Sequence, residues 1–366
     1  MVSPEQPVGG ERNNRLSQMI DFYSDTKTRP SRAMLETVLD APVGDEQKAE
    51  DPTTLALEEQ VADLLGKEAA VFLPSGTMCN EIALRAWMKP GETLIGDRAC
   101  HIITSEGGAP AALAGAMVHP LDTKDGILDP EAVRMAVSPG GRYAPLSRLV
   151  CVEQTFNLKG GVVWPVDQLN AVADVAHQAG LNTHMDGARL MNAVVASGVE
   201  AAKHAAGYDS VWIDFTKGLG APVGAALAGS RAFIEEAWRL KQQMGGAMRQ
   251  SGVIAAMCQY ALNNNVERLA EDHRLAAELG RRLAGMPHIS SVTQPQTNLV
   301  FFEIAETGPT AKALADACRA KGVQIGAFGP RQIRLVTHLD VGFEHLDSLC
   351  QALEFGLTTT NNPTSP

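Results

Sequence analysis

The sequence predicts an α/β protein in which a mostly parallel sheet lies between helices and a smaller α/β domain follows. Two observations carry this prediction. From about residue 68 to residue 230, short apolar runs of strand length alternate with amphipathic stretches of helical spacing. Beyond residue 230 the pattern turns helical, and strand-like runs return only near residue 297, which marks a second unit.

Taken in order, the first run is Glu68–Leu73 ("EAAVFL"), which leads through "PSGT" into the helical "MCNEIALRAWM". Next, Arg148–Glu153 ("RLVCVE") precedes "VDQLNAVADVAHQAG", where Leu169, Val172, Val175 and Ala176 keep helical spacing. Asp167 is placed as the N-cap of that helix and Gly180 as its stop. Leu181–Asp186 and "SVWIDF" are further strands, and Gly224–Gly229 follows a glycine-rich turn. "SRAFIEEAWRLKQQ" and the long "VIAAMCQYALNNNVERLAEDHRLAAELGRRLAG" read as helical and bridge to the second unit. That unit holds strand-like Thr297–Ile304, the helix "AKALADACRAKG", strand-like "QIRLVTH" and a last helix "FEHLDSLCQALEFG". Residues 1–20 and 358–366 read as tails, residues 21–250 as the large domain, and 251–357 as bridging helices with the small domain.

A chain of 366 residues with 45% hydrophobic and 20% charged residues has the composition of an ordinary globular protein with a large core. Its net charge of −11, from 31 basic and 42 acidic residues, argues against nucleic acid or an anionic membrane as the main partner. The six cysteines form no C-x-x-C pair, and several sit in apolar stretches, so buried thiols are expected rather than disulfides or a metal site. No run reaches membrane-spanning length, and no apolar segment of signal-peptide length opens the chain, so a cytoplasmic location is expected.

Ligands of parallel sheets bind at the carboxyl ends of strands, and Ser75, Glu153, Asp186 and Lys217 all fall there. Ser75, Gly76 and Thr77 lie between a strand and a helix start, where free N–H groups and the helix dipole favour a phosphate. The plainer reading is a turn with an N-cap. Asp186, before Gly187, either caps the next helix or faces a protonated ring nitrogen. Lys217 either opens a solvated loop or is a desolvated amine able to form a Schiff base. Together the three offer anchors for the phosphate, ring nitrogen and aldehyde of pyridoxal 5′-phosphate. A nucleotide-binding oxidoreductase fits worse, because "GLGAPVG" has the wrong glycine spacing and follows a lysine.

Longer motifs resemble a family. "DFYSDTKTRPSRAMLETVLDAPVGDE", "EDPTTLALEEQVADLLGKEAAVFLPSGTMCN", "MDGARLMNAV", "TKGLGAPVG", "GGAMRQSG" and "IRLVTHLD" are similar to the motif series of low-specificity L-threonine aldolases. These are lyases of the aspartate-aminotransferase-like fold type I, with a seven-stranded, mostly parallel sheet and pyridoxal phosphate as cofactor. The resemblance implies that Lys217 bonds the cofactor's aldehyde, Asp186 pairs with its ring nitrogen, and His101 stacks on the ring. It gives Ser75, Gly76, Thr77 and Thr216 to the cofactor, Arg189 to cofactor and substrate carboxylate together, and Arg249 to the phosphate of a neighbouring subunit. Ser24 and Arg334 match groups that bind the substrate carboxylate, while Glu153 and Asn157 match an active-site wall. A homotetramer with shared sites is also implied.

That wall reads Glu153-Gln154-Thr155-Phe156-Asn157 here, where the family has a histidine at the position of Phe156, facing the substrate's β-hydroxyl. Lys48-Ala49 and Ser105 also depart from the pattern. Phenylalanine neither accepts a proton nor donates a hydrogen bond, which points to an apolar wall and to β-hydroxy amino acids with larger or aromatic substituents. The expected reaction is cleavage of an L-3-hydroxy-α-amino acid to glycine and an aldehyde, with His101 or an ordered water as base. Another lyase reaction, such as β-elimination, would use the same anchors.

Overall fold

Runs of aliphatic and β-branched residues become the strands of one seven-stranded sheet. The computed structural model describes residues 19–359. The strands are β1 (Ala69–Leu73), β2 (Thr93–Asp97), β3 (Met117–Leu121), β4 (Ser147–Glu153), β5 (Asn182–Gly187), β6 (Ser210–Asp214) and β7 (Ala225–Gly229). They are arranged β1-β7-β6-β5-β4-β2-β3. All neighbouring pairs are parallel except those of β7, which runs against both β1 and β6. Helices cover both faces, so the central strands are buried throughout and read as continuous apolar runs.

Two strands of this sheet escaped the sequence reading. β3 is a sheet-edge strand, its first three residues are exposed, and it contains Pro120, so it lacks the apolar signature. β2 ("TLIGD") is fully buried but short and interrupted by Gly96. The helix Val166–Gln178 begins before the expected N-cap: Pro165 holds the cap position, and Asp167 sits in the first turn, where its charge suits the helix dipole. Gly180 follows that helix in the left-handed conformation (φ 74°), as a stop requires. The long bridging stretch is two helices, Gly252–Asn264 and Leu269–Leu283, broken after a run of three asparagines, poor helix formers.

The second unit is a four-stranded antiparallel sheet of β8 (Ile289–Val292), β9 (Leu299–Ile304), β10 (Gly326–Ala327) and β11 (Gln332–Val336), ordered β10-β11-β9-β8. The helices Leu269–Leu283, Ala311–Ala320 and Leu346–Thr359 share its core through Leu279, Leu314 and Leu353. Phe22 packs into the same core, and Ile20–Asp21 pairs in parallel with Val323–Gln324. Residues 20–22 therefore lie on the second unit, and the chain then passes Ser24 and Asp25 across to the end of the large sheet. Most of both expected tails lies outside the described residues, although Ile20 is in a strand and Thr358–Thr359 close the last helix. No helix among the described residues is long and apolar enough to cross a membrane.

Candidate active site

A cavity of about 340 Å³ opens at the carboxyl ends of β1, β4, β5 and β6, in the size range of small-molecule sites. Among the sequence-predicted residues, Ser24, Ser75, Gly76, Thr77, His101, Glu153, Asn157, Asp186, Arg189, Thr216, Lys217 and Arg334 line it. Phe156 and Arg249 do not.

At the end of β1 the chain turns into the helix Gly76–Trp87, with Ser75 as N-cap accepting from Met78 N–H. The first-turn N–H groups of Gly76 and Thr77 have no acceptor within the helix, and both residues line the cavity at the positive end of the dipole. Residue 76 has to be glycine. A Cβ there would lie 2.2 Å from the Trp212 ring.

Asp186, at the end of β5, is buried and fully held. Its Oδ2 accepts from Asn80 Nδ2 at 2.9 Å and its Oδ1 from Ala188 N–H at 3.0 Å. Burial pushes this carboxyl up, and the charges of His101 and Lys217 and the two N–H donors offset only part of that, so it stays above the usual carboxylate range. His101 stands beside it, with Nδ1 2.7 Å from Glu106 Oε1. Burial works against a charged imidazole there, but the Glu106 hydrogen bond and the charges of Asp186, Glu106 and Glu153 prevail and raise its basicity. Polar atoms of His101, Glu106 and Asp186 lie within 4.8 Å of one another.

Lys217 is no solvated loop residue. Its side chain is 17% exposed, its Nζ donates to Asp214 Oδ2 at 2.6 Å, and the Trp212 ring centroid lies 5.6 Å away. Asp214 is fixed in turn, since Oδ1 accepts from Thr216 N–H at 2.8 Å and Thr216 Oγ1 at 2.7 Å. A cavity that combines this amine with a buried carboxylate and a helix start fits the donor set pyridoxal phosphate requires.

Two arginines meet different fates. Arg189 forms a two-pronged pair with Asp25, Nε and Nη2 each 2.7 Å from a carboxylate oxygen, and Asn298 Nδ2 donates to the same carboxylate at 3.0 Å. Burial alone would raise the Asp25 carboxyl, yet Arg189 holds it far below the usual range. Arg334 has only neutral acceptors, Asn157 Oδ1 at 2.9 Å and Tyr23 O at 3.3 Å, and its buried Nε has none. The Phe328 ring covers its guanidinium at 4.0 Å. Burial and the nearby Arg189 charge lower its pKa to about 10, which leaves it a cation at neutral pH.

Phe156 lies apart from the expected wall, and Arg249, expected at the phosphate of a neighbouring subunit, lies apart from this chain's own cavity. Phe156 forms no wall of the cavity: its ring is buried with Leu84, Cys100, Ile102 and Leu149. Gly126 makes the room, since a Cβ there would stand 2.3 Å from that ring. Ser105, Leu158 and Phe328 line the cavity beyond the predicted set. Arg249 is exposed and paired with Asp45 at 3.0 Å, away from this chain's own cavity. Glu153 does line the cavity, but both oxygens are occupied by backbone donors, His101 N–H at 2.7 Å and Asn157 N–H at 2.8 Å. Burial and the Asp186 charge push its carboxyl up to about 7.

Sequence reasoning missed Asp25, Asn80, Glu106, His184 and Asp214. Asp25 and Asn80 stand inside motifs already quoted, "FYSDTK" and "PSGTMCN". Asp214 had a signal in its i, i+3 spacing from Lys217 on the last strand residue.

The sequence profile of the beta-eliminating lyase family matches residues 21–307. The low specificity L-threonine aldolase of Escherichia coli O157:H7 is 43% identical over 331 residues, covering 90% of this chain and 96% of that protein. Low-specificity L-threonine aldolase 1 of Arabidopsis thaliana is 36% identical over 357 residues, 95% of this chain and 99% of that one. Among solved structures, a Leishmania major threonine aldolase superposes with a TM-score of 0.79 over 92% of this chain and 98% of that one, at 22% identity, which shows the shared fold.

Proposed function

The chain belongs to the beta-eliminating lyase family, and on that premise we propose that it cleaves L-3-hydroxy-α-amino acids to glycine and an aldehyde, using pyridoxal 5′-phosphate. The observation that carries the reading is a single cavity holding the Lys217 amine, the buried Asp186 carboxylate and the helix start at Ser75–Thr77. When bound, pyridoxal phosphate supplies the electron sink that takes the pair released as Cα–Cβ breaks.

The chain's own residues do the rest. Lys217 Nζ would hold the aldehyde end of the cofactor, Gly76 and Thr77 N–H groups would hold its phosphate, and Asp186 would keep its ring nitrogen protonated. Arg334, the cation with an unused donor, receives the substrate carboxylate. Such positioning sets the angle of the Cα–Cβ bond, from which much of the rate advantage of an oriented reactant comes. Arg189, already neutralised by Asp25, buttresses that side of the cavity.

The base is assigned to His101: Glu106 keeps Oε2 without a partner, but its Oε1 faces His101 Nδ1. Glu153, Asp186 and Asp214 each have both oxygens engaged. His101 Nδ1 is held by Glu106, which leaves Nε2 to take the β-hydroxyl proton, directly or through a water. Glu106 then faces the resulting imidazolium and stabilises it. The outer wall of Ser105, Leu158 and Phe328 has little to recognise a particular β-substituent, so threonine, allo-threonine and phenylserine all fit. A homotetramer completes the reading, with the exposed Arg249 serving a neighbour's phosphate.

Product analysis after loading with pyridoxal phosphate tests this proposal. Equal amounts of glycine and aldehyde from L-threonine or L-phenylserine support it; a keto acid with ammonia would make the reaction an elimination.

A further inference from the structure

All four hydrogen-bonding positions of one buried amide are occupied by groups at or behind the cavity wall. Asn80 lies in the helix Gly76–Trp87 and has no exposed surface. Its Nδ2 donates to Asp186 Oδ2 at 2.9 Å and to Glu106 Oε1 at 2.9 Å. Its Oδ1 accepts from Trp212 Nε1 at 2.7 Å and lies 3.1 Å from His184 Nε2.

These contacts fix where the protons are. An amide oxygen only accepts, so His184 Nε2 carries a hydrogen, and burial keeps the ring neutral, with a pKa of about 3. His184 Nδ1 is then an acceptor, and Ser210 Oγ, 2.8 Å away, donates to it. Ser210 Oγ in turn accepts from Trp87 Nε1 at 2.8 Å. A directed chain runs Trp87, Ser210, His184, Asn80, Asp186, with each hydrogen pointing toward the carboxylate. Bonds in such a chain polarise one another, which strengthens the last donor.

We infer that Asn80 is a positioning residue for Asp186: it fixes the plane and the charge of the carboxylate that meets the ring nitrogen of the cofactor. The inference rests on the pyridoxal phosphate reading above. Asp186 is 1% exposed, and among the described residues its carboxylate has two hydrogen-bond donors, Asn80 and the Ala188 N–H. Without Asn80, burial favours the neutral acid, which has no charge to offer a ring cation. Aspartate at residue 80 keeps the shape but sets a third acid against Asp186 and Glu106. Serine is too short to replace both donors.

Binding of two ligands to the cofactor-free protein tests this: pyridoxal phosphate and its 1-deaza analogue, in which a C–H replaces the ring nitrogen. Dissociation constants are measured by equilibrium dialysis for wild type, Asn80→Ser and Asn80→Asp. In both variants the affinity for pyridoxal phosphate falls roughly tenfold or more, the scale of one buried charge-assisted hydrogen bond. Affinity for the analogue stays within about twofold, as for uncoupled sites. Equal losses for the two ligands, or an unchanged affinity for pyridoxal phosphate, overturn the inference and leave the cofactor reading standing. A wild type that binds no pyridoxal phosphate overturns both. Should Asn80→Ser fail to fold, the isosteric Asn80→Asp decides by the same ratio.

Discussion

The inner wall of the cavity and its outer wall are built by different rules. On the inner wall, at the ends of β4, β5 and β6, the carboxylates Glu153, Asp186 and Asp214 have every oxygen bonded to a donor of the chain itself. On the outer wall, Ser105, Leu158 and Phe328 come from turns and loops, and Arg334 keeps a buried Nε without a partner. Groups that must be aimed before a ligand arrives are saturated by the fold. Groups whose partner is the ligand keep capacity free. At Arg334 the cost of an unpaired buried donor is one that a bound carboxylate would remove.

The largest break in this contrast comes from Asp25, which belongs to the saturated side through Arg189 and Asn298. Asp25→Ala strands the buried Arg189 cation, and urea denaturation should show a loss of about 3–5 kcal/mol. A loss below about 1 kcal/mol would mean that solvent reaches Arg189 and the pair is not a fixed element.

On the outer wall the effect should appear in binding instead. Arg334→Gln is expected to lower kcat/KM roughly ten- to hundredfold, mostly by raising KM, with little change in melting temperature. A fall in kcat at unchanged KM would place the arginine in the chemical step.

Glu81 sharpens the contrast, because it is buried behind the inner wall yet neither of its oxygens has a partner. Burial and the charge of Glu106 push its carboxyl up to about 8 in the folded chain, above its unfolded value of about 4.3. The folded state therefore holds this proton more tightly. Its contribution to stability is complete below about pH 4 and disappears as pH rises through 8. Melting curves at pH 5 and pH 8.5 should separate wild type from Glu81→Gln, the variant gaining at least about 3 °C on wild type at the higher pH. Parallel curves would show that Glu81 is solvated.

The smallest effect is expected at Phe156. Its ring packs into the core beside Gly126, so Phe156→Leu should cost on the order of 1 kcal/mol and leave the threonine-to-phenylserine turnover ratio within about twofold. A ratio shifted more than about tenfold would return this residue to the substrate wall.

These residues also show how far the sequence could be read. Ser75, Asp186 and Lys217 were legible because each ends an apolar run at a turn, and parallel sheets gather such ends on one edge. Asp25 was not legible, because its partner Arg189 is 164 residues away and only the packing of the N-terminal segment on the second unit brings them together. Asn80 was visible as part of a motif, but helical spacing says which face is buried and not which four groups await there. The direction of Phe156 depends on the space at Gly126, a tertiary fact no local pattern carries. Edge strand β3 failed for the opposite reason, since its exposed start removes the apolar run that marks the others.

The direct test of the cofactor reading is to trap the Lys217 nitrogen. Wild-type protein incubated with pyridoxal phosphate should take on the cofactor's visible absorbance. Borohydride should then bleach it and leave a stable adduct, which peptide mass mapping places on Lys217 and which Lys217→Ala lacks. A wild type that stays colourless with excess cofactor, or an adduct mapped to another lysine, would contradict it.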